Sequence, residues 1–358
     1  MKNLIKAFVF IIILIIIICV LNRVFSPVGS SEGGWYVAGA MRDMYKQDKN
    51  TIDVLYVGDS NVYTGVSPLE IYNNIGVTGF SASTPGQDAI GSYYVAKEFF
   101  KTQSPKVIML DTGEFFTTKE FFTELSTRSE IDYMNFSFDK LDLINEDYMD
   151  FSIKEKLSFL FPVIRFHDRY QKLTEFDIRK LILQSETSYK GYLYDKKTNK
   201  YESKGKNNYQ KYKEDYQKKQ KGINIDNTDL HIEKYVKEKI DELKLLCNQN
   251  NCDLVLMTMP TTDERAIEKY EIFKEFANEK ELKYVNFNFE IDEPINWETD
   301  TQDKGNHLNI KGAEKVGRYI SKYLSENFEL ENKKEKPEYK KWNEALQAYN
   351  ERKKEDNV

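Results

Sequence analysis

The sequence predicts an α/β protein with a parallel sheet, preceded by an apolar N-terminal helix. Short β-branched runs alternate with stretches whose apolar residues recur every three or four positions, which is typical of parallel strands joined by helical crossovers. The chain has 358 residues, of which 40% are hydrophobic and 14% aromatic, so it can build a sizeable core. Its net charge of −6 argues against binding nucleic acid through a basic surface.

The first element is an uninterrupted apolar run over residues 7–21. With its apolar flanks the run approaches the roughly 20 residues that a helix needs to span a bilayer. Lys2 and Lys6 precede it and only Arg23 follows closely, so the positive-inside rule predicts a cytoplasmic N-terminus. A cleaved signal peptide is the alternative, but no small-x-small site directly follows the run. We therefore predict a single-pass protein of the cell membrane whose chain is extracytoplasmic from about residue 28.

Five strands follow in the sequence, each ending where a polar or Gly/Pro-containing loop begins. They are predicted over residues 52–57, 77–81, 106–111, 253–259 and 283–287, and helices over residues 89–102, 232–248, 263–278 and 310–328. About 140 residues separate the third and fourth strands, which is far more than a crossover needs, so we predict a helical insertion there. The resulting division is 1–27 (cytoplasmic tip and anchor), 28–114 and 231–330 (two halves of one domain), 115–230 (insertion) and 331–358 (charged tail).

Two segments outside the sheet have unusual compositions. Residues 190–221 contain 11 Lys and four acidic residues interleaved with Tyr. This segment is either a lid that attracts an anionic polymer or lipid head groups, or a solvated surface excursion. In the tail, an apolar stripe that includes Trp342 and Tyr349 predicts a docked terminal helix.

Cys247 and Cys252 either pair across a helix-to-strand turn or are free thiols packed under the sheet.

The first strand leads directly into Gly58-Asp59-Ser60-Asn61. A serine at the carboxyl end of the first strand of a parallel sheet stands at the crevice where such folds bind ligands, so Ser60 is a candidate nucleophile. The glycine permits a tight turn, and a helix that begins at Ser60 would offer its amide to an oxyanion.

A candidate base lies far along the chain, where His307 precedes the last predicted helix. Asp303, four residues earlier, is a candidate for holding the imidazole tautomer, which completes the roles of a serine triad. Of the two other histidines, His231 fits a surface position. His167 lies with Arg169 among apolar residues, either in a structural salt-bridged cluster or in contact with substrate.

These motifs resemble the SGNH/GDSL hydrolase superfamily, and within it the membrane-anchored bacterial branch related to the teichoic-acid D-alanyl transfer protein DltD. The resemblance spans the chain. It rests on Gly58-Asp59-Ser60-Asn61, the Gln87 loop, Gln103-x-Pro105-Lys106-Val107, His167-x-Arg169 and His307-Leu308-Asn309-x-x-Gly312-Ala313-Glu314-Lys315. It implies a flavodoxin-like three-layer α/β/α SGNH fold with a Ser-His-Asp site for acyl esters at the outer face of the membrane.

The sequence also departs from this family. The family places its acid three residues before the histidine, where this chain has Lys304, so Asp300 and a Ser-His dyad stay open beside Asp303. The third loop lacks the usual Asn. We therefore predict an oxyanion hole from the amide of Ser60 with Gly86 or Gln87, and substrate contacts from Asn61, His167 and Arg169. The sequence contains no metal-ligand spacing or phosphate-binding glycine motif, so no metal or other cofactor is predicted.

Two functions are compatible with this sequence. The first is a membrane-anchored, serine-dependent O-acyltransferase or esterase that acts on acyl groups of a cell-envelope glycopolymer through an acyl-Ser60 intermediate. The resemblance implies a membrane-bound O-acyltransferase as a partner that relays acyl groups. The second is a catalytically weak scaffold or polymer-binding partner that keeps the fold. The separation of Ser60 and His307 discriminates between them, because catalysis requires hydrogen-bond distance.

Overall fold

Five runs of predominantly apolar residues pair in parallel to form one sheet. The structure, a computed structural model, describes residues 2–26, 35–116, 124–179, 189–200, 230–263 and 265–357. The strand order is β2-β1-β3-β4-β5, and every pairing is parallel. The strands are β1 (Val54–Val57), β2 (Gly79–Ser81), β3 (Val107–Asp111), β4 (Asp253–Thr258) and β5 (Lys283–Asn286). The predicted α/β class with a five-stranded parallel sheet is therefore confirmed.

Helices cover both faces of the sheet because successive strand residues point to opposite sides. Leu55 and Val57 belong to one apolar cluster, whereas Val54 and Tyr56 belong to the other. The helices in chain order are α1 (Lys2–Phe25), α2 (Trp35–Lys46), α3 (Ser60–Gly65), α4 (Pro68–Ile75), α5 (Ala89–Phe100), α6 (Glu124–Ile131), α7 (Phe138–Ile144), α8 (Ile153–Leu160), α9 (Pro162–Phe166), α10 (Glu175–Arg179), α11 (Lys234–Gln249), α12 (Ala266–Glu279), α13 (Ile310–Asn327) and α14 (Lys340–Glu355).

The N-terminal apolar run forms one continuous helix, α1. Its 24 residues are long and apolar enough to cross a membrane, and its most apolar stretch is not buried by the rest of the protein. The last turns of α1 contact α9, the 3₁₀ turn His167–Gln171 and α10. Arg169 Nη1 donates to the Phe25 carbonyl at 2.5 Å, and the Val163 amide donates to Asn22 Oδ1 at 3.3 Å. The end of α1 is thus held against the folded domain.

Between β3 and β4 the described residues form the short helices α6 to α10, the 3₁₀ turn His167–Gln171, the longer helix α11 and a segment of residues 189–200 that turns at Lys190 and Gly191. We call this segment the strap. The remainder of the predicted Lys/Tyr-rich segment, from residue 201 onward, lies outside the described residues. Whether the insertion is a separate subdomain therefore stays a prediction.

The charged tail ends in a docked helix, as its apolar stripe predicts. Trp342 and Tyr349 of α14 are buried, and Ser67 donates a hydrogen bond to the Tyr349 hydroxyl at 3.2 Å. Cys247 and Cys252 are buried free thiols, which agrees with the packed-thiol interpretation.

Candidate active site

Ser60 is positioned by a tight turn between β1 and α3. Gly58 has a φ of +152°, and a Cβ there would approach the Asp111 Cβ to 2.6 Å, so this backbone path requires glycine. Asp59 caps α3 by accepting from the Asn61 amide at 2.8 Å. Ser60 is therefore the first residue of the helix, and its amide has no acceptor within that helix.

The structure brings Ser60, His307 and Asp303 together. His307 Nε2 lies 2.8 Å from Ser60 Oγ, and His307 Nδ1 lies 2.5 Å from Asp303 Oδ2. The His307 amide also donates to Asp303 Oδ1 at 2.7 Å. A carboxylate beside Nδ1 keeps the proton on that nitrogen, so Nε2 is left to accept the Ser60 hydroxyl proton.

The four-residue spacing between Asp303 and His307 is accommodated by the backbone of the loop. Lys304 and Gly305 have φ values of +67° and +98°, so the chain turns through two left-handed residues before it reaches His307. The Thr301 hydroxyl fills the inside of this turn, because it donates to the His307 carbonyl at 2.9 Å and accepts from the Gly305 amide at 2.8 Å.

Asp300, the alternative acid, has different partners. Its carboxylate accepts from the Asn296 amide at 2.8 Å and pairs with Lys315 Nζ at 2.9 Å. It is buried beneath the loop and holds the start of α13 to the preceding turn. The contacts of the histidine therefore favour Asp303 over Asp300.

The strap crosses the loop that carries His307. The Asn199 amide donates to the Thr301 carbonyl at 3.1 Å, its Nδ2 donates to the Gln302 carbonyl at 2.6 Å, and its carbonyl accepts from the Lys304 amide at 2.9 Å. Asn199 thus binds the backbone on both sides of Asp303, at Thr301 and Gln302 before it and at Lys304 after it. Nothing in its local sequence indicates this role, because its partners lie about one hundred residues away.

Tyr63 is a further neighbour of the serine that the sequence analysis did not identify. It lies one turn along α3 from Ser60, it is buried, and its hydroxyl forms a side-chain hydrogen bond with Ser60. Burial raises the pKa of Tyr63 to about 12, with a smaller contribution from the charge of Asp59. The hydroxyl therefore stays protonated at neutral pH, in hydrogen-bonding contact with Ser60.

A pocket of about 250 Å³ opens where the strand order reverses between β1 and β3. This is the switch point at which open α/β sheets bind ligands. It is lined by both sequence neighbours of Ser60, Asp59 and Asn61, and by residues that follow β3 and β4, including Glu114 and Thr261. Asn61 therefore lines a pocket, and its contact with substrate stays a prediction.

Two buried carboxyl groups form part of the pocket wall. Burial raises the pKa of Asp59 to about 6, with a further contribution from Glu114. Burial and the charge of Asp59 raise the pKa of Asp111 well above its usual range. Asp111 accepts hydrogen bonds from the Met259 and Gly113 amides, at 3.1 and 3.2 Å. The pair retains a proton at pH values where isolated carboxyl groups have lost theirs.

The two candidate oxyanion donors of the second loop differ. Gly86 is exposed in a turn and has a φ of +64°. The Gln87 amide donates to the Thr84 carbonyl at 3.2 Å, and its Nε2 donates to the Ala82 carbonyl and the Ser92 hydroxyl. Because the donors of Gln87 are engaged within its own loop, these contacts do not support it as an oxyanion donor. Gly86 stays a prediction.

His167 and Arg169 have contacts that do not involve the serine site. His167 is largely exposed, with Nδ1 3.0 Å from the Ile164 carbonyl and Nε2 3.0 Å from Asp168. Arg169 donates to the end of α1 and to Asp177 Oδ1, the latter at 2.8 Å. These contacts favour the structural interpretation of this cluster, and substrate contact by either residue stays a prediction.

The described part of the chain contains no group of three or more His, Cys, Asp or Glu side chains arranged to hold a metal ion. The chain matches no known family model, and no curated protein is significantly similar to it in sequence.

Proposed function

We propose that this protein is a membrane-anchored, extracytoplasmic member of the SGNH/GDSL type that acts as a serine-dependent O-acyltransferase or esterase. Its substrates would be acyl esters of a cell-envelope glycopolymer. The observation that carries the proposal is the chain of contacts from Ser60 Oγ through His307 to Asp303, at 2.8 and 2.5 Å. The distance from Ser60 Oγ to His307 Nε2 lies within the range of about 2.6–3.2 Å that a general base requires, which favours catalysis over the scaffold alternative.

The geometry supports the following first half-reaction. Ser60 Oγ attacks the carbonyl carbon of the acyl donor while His307 Nε2 accepts the hydroxyl proton. Asp303 stabilises the imidazolium that results. The amide of Ser60, with Gly86 as the predicted second donor, stabilises the tetrahedral oxyanion. His307 then returns the proton to the departing alcohol, and the acyl group remains on Ser60.

In the second half-reaction a hydroxyl group attacks the carbonyl carbon of the acyl-Ser60 ester while His307 Nε2 accepts its proton. The bond from that carbon to Ser60 Oγ then breaks, and His307 returns the proton to Ser60 Oγ. Water gives hydrolysis and a sugar or glycerol hydroxyl gives transfer. The anchor α1 supports transfer, because a protein held at the bilayer can accept acyl groups from a membrane-bound O-acyltransferase. The pocket beside Asn61 provides space for the acyl group or the acceptor.

The test is the reaction of the full-length chain in detergent micelles with a fluorophosphonate, followed by intact mass spectrometry. We expect one adduct on the wild type and none on Ser60→Ala. Ser104→Ala is the matched control, because Ser104 is exposed in the loop before β3, at the opposite edge of the sheet. It should react like the wild type.

Two results would contradict the proposal. Folded wild type that gives no adduct has no activated serine, and the scaffold function would then be preferred. Equal acylation of the envelope polymer in cells that carry wild type or Ser60→Ala would show that Ser60 is not the nucleophile for that polymer.

A further inference from the structure

The surface around the end of α1 combines features that a water-exposed surface rarely has. α8, α9, the 3₁₀ turn His167–Gln171 and α10 pack against one another or against α1. We call these four elements the platform. Large apolar side chains are exposed on each of them, with exposed fractions of 79% for Ile153, 41% for Ile164, 63% for Tyr170 and 59% for Ile178. Soluble proteins seldom expose neighbouring apolar groups of this size without a binding role.

Along the axis of α1, the platform overlaps the apolar part of that helix. Ile18, Asn22, Val24 and Phe25 are partly covered, whereas the described residues of α1 before Ile18 are exposed. Ile18, Asn22 and Phe25 are spaced by four and three positions, so these three share one helix face. With a rise of 1.5 Å per residue, the covered face extends over about 10 Å from Phe25 back to Ile18. Ile18 lies within the apolar run of residues 7–21, so the platform reaches the level at which that run ends.

The junction between α1 and the platform is built from specific contacts. The guanidinium of Arg169 binds the Phe25 carbonyl at 2.5 Å and Asp177 at 2.8 Å, so one side chain joins α1 to α10. The Val163 amide binds Asn22 Oδ1. These contacts fix the position of the platform along α1. In a bilayer that α1 crosses, the platform would therefore lie at a defined depth.

The side chains on the platform are those that favour a membrane interface. Ile153 and Leu157 lie four residues apart on α8, on one exposed face. Tyrosine is enriched at the boundary between hydrocarbon and water, where Tyr170 would lie. The sequence from residue 152 to 179 also has six basic and four acidic residues, and an excess of positive charge favours anionic head groups.

We infer that the platform is embedded in the membrane surface, where lipids of the outer leaflet cover its exposed apolar side chains. Ile164, Tyr170 and Ile178 enter the head-group and upper acyl region beside α1, so the domain rests on the bilayer instead of swinging from a single tether. The inference rests on α1 being retained as a membrane anchor, and it does not depend on the chemistry at Ser60.

The experiment measures the accessibility of spin labels on the full-length chain in nanodiscs of phosphatidylglycerol and phosphatidylethanolamine. Single cysteines replace Ile164, Tyr170 or Ile178, in a background where Cys19, Cys247 and Cys252 are alanine and the Tm is unchanged. Frequent collision of a label with oxygen indicates that the label lies in lipid. Frequent collision with a water-soluble nickel chelate indicates that it is exposed to water. The matched control is Leu245→Cys, because Leu245 is 58% exposed on α11, which is not part of the platform. Ile11→Cys reports α1 itself.

We expect the three platform labels to be at least threefold less accessible to the nickel chelate than the label at position 245, and more accessible to oxygen. Equal accessibility at positions 164, 178 and 245, with position 11 in lipid, would overturn the inference and leave the anchor intact. A label at position 11 that is exposed to water would overturn the anchor and the platform together. Ser60→Ala in the same background should leave every accessibility unchanged, so a failure of the acyl chemistry is distinguished from a failure of the platform.

Discussion

His307 Nε2 lies 2.8 Å from Ser60 Oγ, although 247 positions separate the two residues in the chain. The serine follows the first strand and the histidine follows the last, so the sheet and both of its helical layers must be assembled before the contact exists. The parallel topology explains the meeting, because the carboxyl ends of all five strands lie at one edge.

The acid of the proposed triad can be identified by two matched substitutions. Asp303→Asn should lower the rate of fluorophosphonate labelling about a thousandfold or more, because an amide no longer holds the productive tautomer of His307. Asp300→Asn should instead lower the Tm, because it weakens the buried pairing with Lys315. Labelling kinetics and thermal unfolding of the full-length chain measure both effects. A loss below about tenfold for Asp303→Asn would indicate a Ser-His dyad.

The hydroxyl of Thr301 should be required for the shape of the His307 loop. Thr301→Val keeps the volume but leaves the buried Gly305 amide without this partner, at a cost of about 1–3 kcal/mol, whereas the His307 carbonyl keeps its bond from the Gln302 amide. We expect a lower Tm and slower labelling of Ser60. Thr299→Val is the control, because that hydroxyl binds Asp300 and is not part of the turn. An equal effect of the two substitutions would argue against the role of Thr301.

Tyr63 should assist the nucleophile by orienting Ser60 Oγ. Tyr63→Phe removes one hydrogen bond, which is worth about 0.5–1.5 kcal/mol, so labelling should slow by about two- to tenfold with little change in Tm. Tyr133→Phe is the matched control, because Tyr133 packs beside Tyr63 in the same small apolar cluster. Identical labelling rates for the wild type and Tyr63→Phe would exclude a contribution from this hydroxyl.

The stability of the protein should fall as pH rises from about 4 to about 7. Burial raises the pKa of Asp88 to about 7, so the folded state favours its protonated form and loses that advantage as the pH passes through the raised pKa. Asp88 caps α5 by accepting from the Gly91 amide at 2.8 Å, and Asn retains that acceptor. Asp88→Asn should therefore flatten the decline in Tm between about pH 4 and 7. Parallel curves for the two proteins would show that Asp88 does not contribute.

The apolar helix α1, the parallel sheet and the meeting of Ser60, His307 and Asp303 could be predicted from the sequence because each leaves a local pattern. Apolar runs mark α1 and the strands, and the motifs at residues 58–61 and 303–309 place reactive groups at loop positions. The strands are shorter than predicted. For example, Val77 and Thr78 precede the first residue of β2, where the Thr78 carbonyl accepts from the Asp53 amide.

The contacts of Tyr63, Asn199 and Arg169 could not be predicted, because they depend on which partners the fold brings to them. Arg169 has the charge of a substrate ligand, yet its partners are Asp177 and a carbonyl 144 positions away. The sequence suggests Gln87 as an oxyanion donor, but in the structure its side-chain amide donates to the Ala82 carbonyl and to the Ser92 hydroxyl. Charge and sequence motifs identify a side chain as a candidate ligand or donor, but the fold determines which groups it contacts.

The separation of Ser60 and His307 in the sequence has a consequence for biosynthesis. Until His307 has been synthesised and its loop has folded beside the end of β1, Ser60 lacks this hydrogen-bond partner. If Ser60 is the nucleophile proposed above, a partly synthesised chain would carry the serine without its base, and the hydroxyl would be activated only late in folding.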